Sequence, residues 1–447
     1  MICMRHLIVF GLILICTVSV AQQAESLNNR YALALKKLRE KNYDGSIADL
    51  NQLIDSEFSN NEVFVKRGVA YCMKGEYGLA VSDLERAEAQ GVSSAELYEH
   101  RGIARYHLRN MNGAITDLEN AIAKGSATFD VFHTLGCARL ALRKYAEAFT
   151  AINRAMPLTR ANPVPYNSRG KAYVGMGKYK EAVGDFTIAI MLNPKYREAL
   201  ENRASAYLQL NRNADAAADY AAIEKLDATP DTELYKMLAE LNYNSSKYDV
   251  ALEYLNKLVE EGHSETDILY KRGRSQLETG NYQSALRDLN AAFGEGMNTP
   301  ELFLDKARAY LNMGDTDAAL VELGRALDLD DRNEKAYYNR AWIKEGLKDY
   351  EGAVLDYNQA IMLNPNDGHA YYNRANCRAG LDDYGAGISD LDEAIRIEPR
   401  NASYYKQRGN FYYRLKNSAK ACFDWRKAAE YGDSKAKFQI TEYCNKK

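Results

Sequence analysis

Pairs of aromatic, basic and amide side chains recur in the second half of the chain, and their chemistry is that of non-covalent recognition. The members of a pair are four residues apart, and the pairs follow at a step of 34: Tyr270 and Arg274, Leu304 and Arg308, Tyr338 and Trp342, Tyr372 and Asn376, Lys406 and Asn410. Aromatic faces beside cationic and amide donors recognise extended peptides with acidic or aromatic side chains. These ten residues are therefore a candidate peptide-binding surface. The plainer interpretation is that Tyr338, Trp342 and Tyr372 only cover the sides of neighbouring helices.

Residues that could catalyse a reaction or hold a metal are not gathered in this way. The histidines His100, His107, His133, His263 and His369 are scattered, without carboxylates or cysteines at the spacing of a metal site. The sequence contains no glycine-rich phosphate loop, nucleophile elbow or zinc-binding helix motif. It therefore predicts a protein that is not an enzyme, with no catalytic residues, no metal and no cofactor.

Charge is balanced along the chain. The 58 Lys and Arg residues stand against 61 Asp and Glu residues, so the net charge is −3, and neither sign is concentrated in a block. This balance argues against nucleic acid or anionic lipid as the main partner.

Five of the seven cysteines lie beyond the apolar N-terminal segment: Cys72, Cys137, Cys377, Cys422 and Cys444. No two of them have the spacing of a zinc site or a redox motif. The favoured interpretation is that they are free thiols buried where helices pack. A disulfide between Cys422 and Cys444 is the alternative in an oxidising compartment.

The elements that position these residues follow from a small residue that returns at a fixed step along nearly the whole chain. The step is 34, with one step of 35 between Ala216 and Ala251: Ser46, Ala80, Ala114, Ala148, Ala182, Ala216, Ala251, Ala285, Ala319, Ala353, Gly387, Ala421. Such a step is typical of stacked supersecondary units that cannot bury their apolar faces alone. We number the places in each unit from 1, which gives twelve repeats beginning at Leu27, Asn61, Ala95, Phe129, Pro163, Arg197, Thr232, Thr266, Pro300, Glu334, Gly368 and Ala402.

Each repeat is predicted to form two antiparallel helices that pack small residues against large ones. Place 8 is always Gly or Ala and place 24 is always large and apolar, for example Gly170 with Phe186. A glycine such as Gly75 marks the turn between the helices. The second helix ends either at a proline, as at Pro194, or at a glycine, as at Gly91.

An arginine at place 7 accompanies an aspartate at place 23 in eight repeats. The pairs are Arg67 with Asp83, Arg101 with Asp117, Arg169 with Asp185, Arg203 with Asp219, Arg272 with Asp288, Arg340 with Asp356, Arg374 with Asp390, and Arg408 with Asp424. In the fourth and seventh repeats both places change together: place 7 is Leu135 or Leu238, and place 23 is Ala151 or Tyr254. This joint change indicates that the two places touch. We predict a repeated structural ion pair between the two helices of a unit, important for register.

These places resemble the tetratricopeptide repeat family. The fifth repeat shows the complete pattern: Gly170, Tyr173, Tyr179, Ala182, Phe186, Ala189 and Pro194. The resemblance covers residues 27–433, with departures in the first repeat (Ser46, Leu53) and the seventh (Leu238, Leu258). It implies an all-α, right-handed solenoid of tandem helix-turn-helix repeats. It also implies a concave groove lined mainly by the first helices, which the ten residues at places 5 and 9 of repeats 8 to 12 would face.

The first 21 residues have the layout of a secretory signal peptide. Arg5 precedes an apolar run from Leu7 to Val20, and Ala21 is the small residue before the predicted cleavage. Because the run is short for a membrane span, we expect export to a periplasmic or extracellular location, most simply a bacterial envelope, with no stable membrane insertion after cleavage. An uncleaved anchor, a cytosolic protein and a lipoprotein acylated at Cys16 are the alternatives.

The predicted organisation is a signal peptide over 1–21, a superhelix of about twelve repeats over 22–433 and a capping helix over 434–447 that covers the end of the stack. The predicted function is that of an exported, non-enzymatic scaffold that binds a protein or peptide in its groove. Two alternatives are a protein that binds carbohydrate or cell-wall ligands through its tyrosine and tryptophan faces, and a structural protein that self-assembles. The residues name neither the partner nor the oligomeric state.

Overall fold

The computed structural model describes residues 25–56, 58–226 and 231–444, and all regular structure in these ranges is helical. The predicted signal peptide over 1–21 lies outside the described residues. The chain divides into two compact units, Met1–Thr229 and Pro230–Lys447. The boundary falls in the sixth repeat, which carries the one extra residue, and the single superhelix over 22–433 stays a prediction.

Unit 1 consists of helix pairs, with the first helix of each repeat numbered odd and the second numbered even. After α1, which covers 25–39, the helices are α2 (Tyr43–Asp55), α3 (Glu62–Lys74), α4 (Tyr77–Ala89), α5 (Ala95–His107), α6 (Met111–Ala123), α7 (Phe129–Ala141), α8 (Tyr145–Ala155), α9 (Val164–Gly175), α10 (Tyr179–Leu192), α11 (Arg197–Gln209) and α12 (Asn213–Glu224). A short 3₁₀ helix, Met156–Leu158, follows α8.

Unit 2 continues the same alternation. Its helices are α13 (Thr232–Asn244), α14 (Tyr248–Glu260), α15 (Thr266–Glu278), α16 (Tyr282–Gly294), α17 (Pro300–Asn312), α18 (Thr316–Leu329), α19 (Glu334–Gly346), α20 (Tyr350–Leu363), α21 (Gly368–Gly380), α22 (Tyr384–Ile397), α23 (Ala402–Arg414), α24 (Ser418–Glu430) and α25 (Ala436–Gln439), followed by a π-helical turn, Ile440–Cys444. The predicted α-solenoid of tandem helix pairs is confirmed. No helix in the described ranges is long and apolar enough to span a membrane.

The core lies between the two helices of each repeat, where small residues receive large ones. A Cβ atom added to Gly170 would lie 2.5 Å from Cε1 of Phe186, and one added to Gly409 would lie 2.7 Å from Cδ1 of Trp425. Phe186 and Trp425 are both fully buried. These distances are shorter than any ordinary carbon–carbon contact, so the large residue occupies the volume that the glycine leaves open, as predicted.

The turn between the two helices always contains a left-handed residue at place 15. In four repeats it is a glycine: Gly75, Gly177, Gly280 and Gly314. In the other eight repeats φ lies between 55° and 64° at a residue with a side chain: Lys41, Arg109, Arg143, Asn211, Ser246, Lys348, Asp382 and Lys416. A side chain destabilises this conformation by about 1–2 kcal/mol relative to the right-handed one. The glycine pattern therefore predicted the turn in four repeats only, although the geometry is common to all.

All eight predicted ion pairs are present. In each, the arginine donates from Nε and Nη2 to the two carboxylate oxygens of the aspartate, at 2.6–3.1 Å. Several arginines also reach the second helix of the preceding repeat, as Arg67 does through Nη1 to Oδ1 of Asn51 at 2.7 Å. An arginine of this kind joins three helices, and so it fixes how these helices are aligned along their lengths.

Two further repeats pair the acid at place 23 with a lysine, which the arginine pattern missed. In the ninth repeat Lys306 and Glu322 form an ion pair of 3.1 Å at places 7 and 23. In the first, Lys37 at place 11 reaches Asp49 at 2.6 Å, in place of the missing arginine. The acid at place 23 is therefore paired even where the arginine is absent.

The C-terminal segment is tied to the last helix pair. Cys422 on α24 and Cys444 form a disulfide, whereas Cys72, Cys137 and Cys377 are free thiols. The expectation of five free thiols is therefore wrong for Cys422 and Cys444, because the segment after α24 folds back and brings these two distant residues together. α25 and the π-helical turn both contact α24.

Candidate functional site

The ten candidate residues lie on the first helices of unit 2, one pair each on α15, α17, α19, α21 and α23. First helices of successive repeats touch, as α15 touches α17 and α19 touches α21, whereas successive second helices of the described chain make no comparable contact. The first helices therefore lie on the more crowded side of the stack in this unit. Residues at their places 5, 6 and 9 meet across the repeats.

Repeats 8 and 9 are joined by a network that holds Tyr270 and Arg274. Oη of Tyr270 donates to Oδ2 of Asp305 at 3.0 Å and accepts from Nη1 of Arg274 at 3.3 Å. Nε of Arg274 lies 3.8 Å from the same carboxylate oxygen. Burial, reinforced by the Asp305 charge, raises the pKa of the Tyr270 phenol well above its usual range. Burial also raises the pKa of Asp305, against the opposing charge of Arg274. Arg274 is therefore engaged inside the stack.

Repeats 10 to 12 show the same cross-repeat bonding. Asn373 donates from Nδ2 to Oη of Tyr338 at 2.9 Å. Gln407 donates from Nε2 to Oδ1 of Asn376 at 2.9 Å. Lys406 donates to Oδ2 of Asp433 at 2.8 Å. Tyr338 and Asn376 therefore contribute to the contacts that hold one repeat on the next, whereas Lys406 pairs with the end of its own repeat.

Tyr372 and Asn410 are also engaged. The ring of Tyr372 packs on buried Tyr404 with the ring centroids 5.4 Å apart. Oδ1 of Asn410 accepts from Nε1 of Trp425 at 3.0 Å. Leu304 packs, partly buried, against the core cluster around Phe303.

Arg308 and Trp342 differ from the other eight because they face solvent. Arg308 forms an ion pair with Glu278 at 2.9 Å in which the arginine side chain is 44% exposed. Trp342 is 56% exposed. It borders a cleft of about 440 Å³ whose other walls include Leu311, Ile343 and Leu347. An exposed indole above an apolar cleft is suited to holding a large apolar side chain.

Two cavities of unit 2 contain residues that the sequence pattern did not single out. One, of about 240 Å³, lies between repeats 7 and 8, where Lys236, Glu240 and Lys271 surround an apolar floor. The only sequence signal for it was the departure of the seventh repeat from the common pattern. The other lies at the C-terminal end and is described below. No group of three or more His, Cys, Asp or Glu side chains in the described part of the chain could hold a metal ion.

Comparison with protein families decides the class of the repeat. Models of the tetratricopeptide repeat match residues 167–231, 236–298, 300–333, 334–367 and 368–401, which together are just over half of the chain. The chain belongs to the tetratricopeptide repeat family. Repeats of this family support protein interaction, so the chain is a helical scaffold of that kind, and none of the matching models is that of an enzyme.

Solved structures of other tetratricopeptide repeat proteins share the helical repeat. MamA from Desulfovibrio magneticus RS-1, from residue 41 to its end, is 23% identical, with 38% of this chain and 97% of that chain covered and a TM-score of 0.36. YrrB, described as a TPR protein with an unusual peptide-binding site, is 17% identical over 42% and 97%, with a TM-score of 0.35. Yeast Tom70 is 14% identical over 92% and 93%, with a TM-score of 0.35. A search of the curated proteins finds no significant match.

Proposed function

We propose that this tetratricopeptide repeat protein is an exported, non-enzymatic scaffold that holds a protein or peptide partner on the first-helix face of repeats 8 to 12. The observation that carries the proposal is the exposure of Trp342. On a face where most candidate side chains are engaged by neighbouring residues, this indole presents a large exposed surface beside an apolar cleft. Tryptophans in such positions dominate the binding energy of many protein interfaces.

The surroundings of Trp342 define the partner's chemistry. Leu311, Ile343 and Leu347 supply apolar walls, so the anchor is a large aliphatic or aromatic side chain. Arg308, on the preceding first helix, forms a partly exposed ion pair with Glu278. Exposed pairs are worth only about 0.2–1 kcal/mol, so a partner carboxylate can replace Glu278 with little penalty. The partner segment is therefore apolar at one residue and acidic nearby.

The test compares Trp342→Ala with Phe423→Ala, a matched control. Phe423 lies on the second helix α24 and is 59% exposed, so its loss removes a similar aromatic surface from a different face. Bait beginning at Gln22 captures proteins from an envelope extract, and the affinity of each identified protein is then measured by calorimetry. We expect Trp342→Ala to weaken binding at least 10-fold and Phe423→Ala to leave it unchanged. Equal binding by Trp342→Ala and the parent refutes the site. Retention of the bait's own sequence alone favours self-assembly instead.

Export is supported by two features at opposite ends of the chain. One is the signal-like run from Leu7 to Val20, and the other is the disulfide between Cys422 and Cys444. Disulfides persist in exported proteins and are reduced in most cytosolic ones. Mass spectrometry of the protein from fractionated cells should find it outside the cytosol, beginning at Gln22, with one disulfide. A cytosolic form with a reduced Cys422 would contradict export.

A further inference from the structure

A cavity of about 530 Å³ opens at the C-terminal end of unit 2, where the segment after α24 packs on the last repeat. Half of the residues that line it are aromatic, among them Tyr413, Trp425, Phe438 and Tyr443. Phe438 is 64% exposed and Tyr443 is 42% exposed. The volume is within the range of small-molecule sites.

The disulfide builds one wall of this cavity. Phe438, Gln439 and Tyr443 come from the segment that Cys444 ties to Cys422 on α24. The ring of Tyr443 packs 4.7 Å from that of Tyr413 and 5.8 Å from that of Trp425, centroid to centroid. The wall is therefore held covalently at one residue and by aromatic packing beside it.

Most amide groups of the cavity are already satisfied. Gln407 bonds to Asn376, Asn410 bonds to Gln407, and Trp425 donates to Asn410. Two polar groups are not. Oε1 of Gln439 is buried without a hydrogen-bond partner, and Arg414 forms no ion pair with any residue that the structure describes. Oε1 of Gln439 has no accessible surface, so a ligand in the cavity reaches the exposed guanidinium of Arg414 and not that oxygen.

We propose that this cavity binds a sugar acid, such as a uronic acid residue of an acidic glycan. The flat C–H face of the sugar ring stacks on the exposed aromatic rings of Phe438 and Tyr443. The carboxylate pairs with the guanidinium of Arg414, two of whose N–H groups match its two oxygens. No Asp or Glu is among the residues that line the cavity, so nothing there repels an anion.

A peptide fits these groups less well. An extended peptide needs a row of donors and acceptors for its main chain. Here the amides that could form such a row are bonded to one another, and the groups that remain for a ligand are aromatic faces and one cation. The glycan site is separate from the Trp342 cleft and does not rest on the partner-binding function proposed above.

The test is a calorimetric titration of the oxidised chain, beginning at Gln22, with trigalacturonate. Maltotriose serves as the neutral trimer, and Arg414→Gln is compared with Arg332→Gln, an exposed arginine on the α18–α19 connection. We expect saturable binding of trigalacturonate, at least 10-fold weaker binding by Arg414→Gln, and no change for Arg332→Gln. Absence of saturable binding, an unaltered Arg414→Gln, or equal affinity for maltotriose overturns the proposal.

A second variant tests the part played by the disulfide. Cys422→Ser with Cys444→Ser frees the wall and leaves the twelve helix pairs in place, which circular dichroism verifies. We expect the trigalacturonate affinity to fall at least 10-fold. Unchanged affinity refutes the role of the disulfide. Protein capture through Trp342 is measured on the same variants, so failure of the glycan site and failure of the partner site are distinguishable.

Discussion

The Arg272–Asp288 ion pair offers a direct measurement of what the repeated pairs contribute. Arg272 donates to both oxygens of Asp288 at 2.7 Å and makes no other side-chain bond in the described structure. Asp288 is only 7% exposed. The fourth repeat fills the same two places with buried Leu135 and Ala151, and so shows that the fold accepts an apolar pair there.

We predict that Arg272→Leu alone destabilises α15 and α16 severely and that adding Asp288→Ala restores most of the loss. The single change leaves a buried carboxylate without its cation, which destabilises by about 3–5 kcal/mol. The double change copies the fourth repeat and removes the unpaired charge, so stability should return to within about 1 kcal/mol of the parent.

Amide hydrogen exchange resolved by peptide is the suitable assay, because a repeat stack opens locally and a single global transition would average the effect. A loss of about 3 kcal/mol corresponds to roughly a 100-fold larger opening constant in α15 and α16. Helices several repeats away, such as α23, are the internal reference. If the double variant exchanged as fast as the single one, the pair would be a net source of stability and the reasoning would be wrong.

Three further predictions concern packing, turn geometry and pH. Gly170→Ala should lower the free energy of unfolding, measured by urea titration, by about 1–3 kcal/mol, because the added methyl group overlaps Phe186. Adding Phe186→Leu should restore part of that free energy, because the ninth repeat places an alanine opposite a leucine at the same two positions. Lys348→Gly should stabilise the fold by about 0.5 kcal/mol and so raise the melting temperature, because φ of Lys348 is 64°, a conformation that glycine adopts without strain. An unchanged or lower melting temperature would show that this turn is not strained. Burial lowers the pKa of His133 below its usual value of 6.5, although the charge of Asp130 opposes the shift. The unfolded chain therefore takes up the proton first, and stability should fall as pH drops below 6.5. The fall between pH 7.5 and 5.5 should be smaller in His133→Gln, and equal falls would exclude this contribution.

The candidate surface was only partly visible in the sequence. The spacing correctly grouped ten residues on five first helices, but it could not tell exposed side chains from bonded ones. From the sequence, Tyr270 and Arg274 were predicted to be available to a partner, whereas in the structure Asp305 of the next repeat contacts both. Trp342 stands out only through its exposure, which depends on what the neighbouring helices leave uncovered.

The sequence by itself determined the features that recur along the chain. Helix pairs and small residues opposite large ones occur in all twelve repeats, and Arg–Asp pairs occur in eight; because each is formed at a fixed separation within a unit, its repetition appears in the sequence as a period. Contacts that occur only once in the chain were decided by the tertiary structure. The disulfide between Cys422 and Cys444, and the cavity that Phe438 and Tyr443 border beside Arg414, depend on how one non-repeating segment folds back onto the last pair of helices. The physical reason is that a contact repeated at constant spacing appears as periodicity, whereas a single contact between distant residues has no second copy that would reveal it.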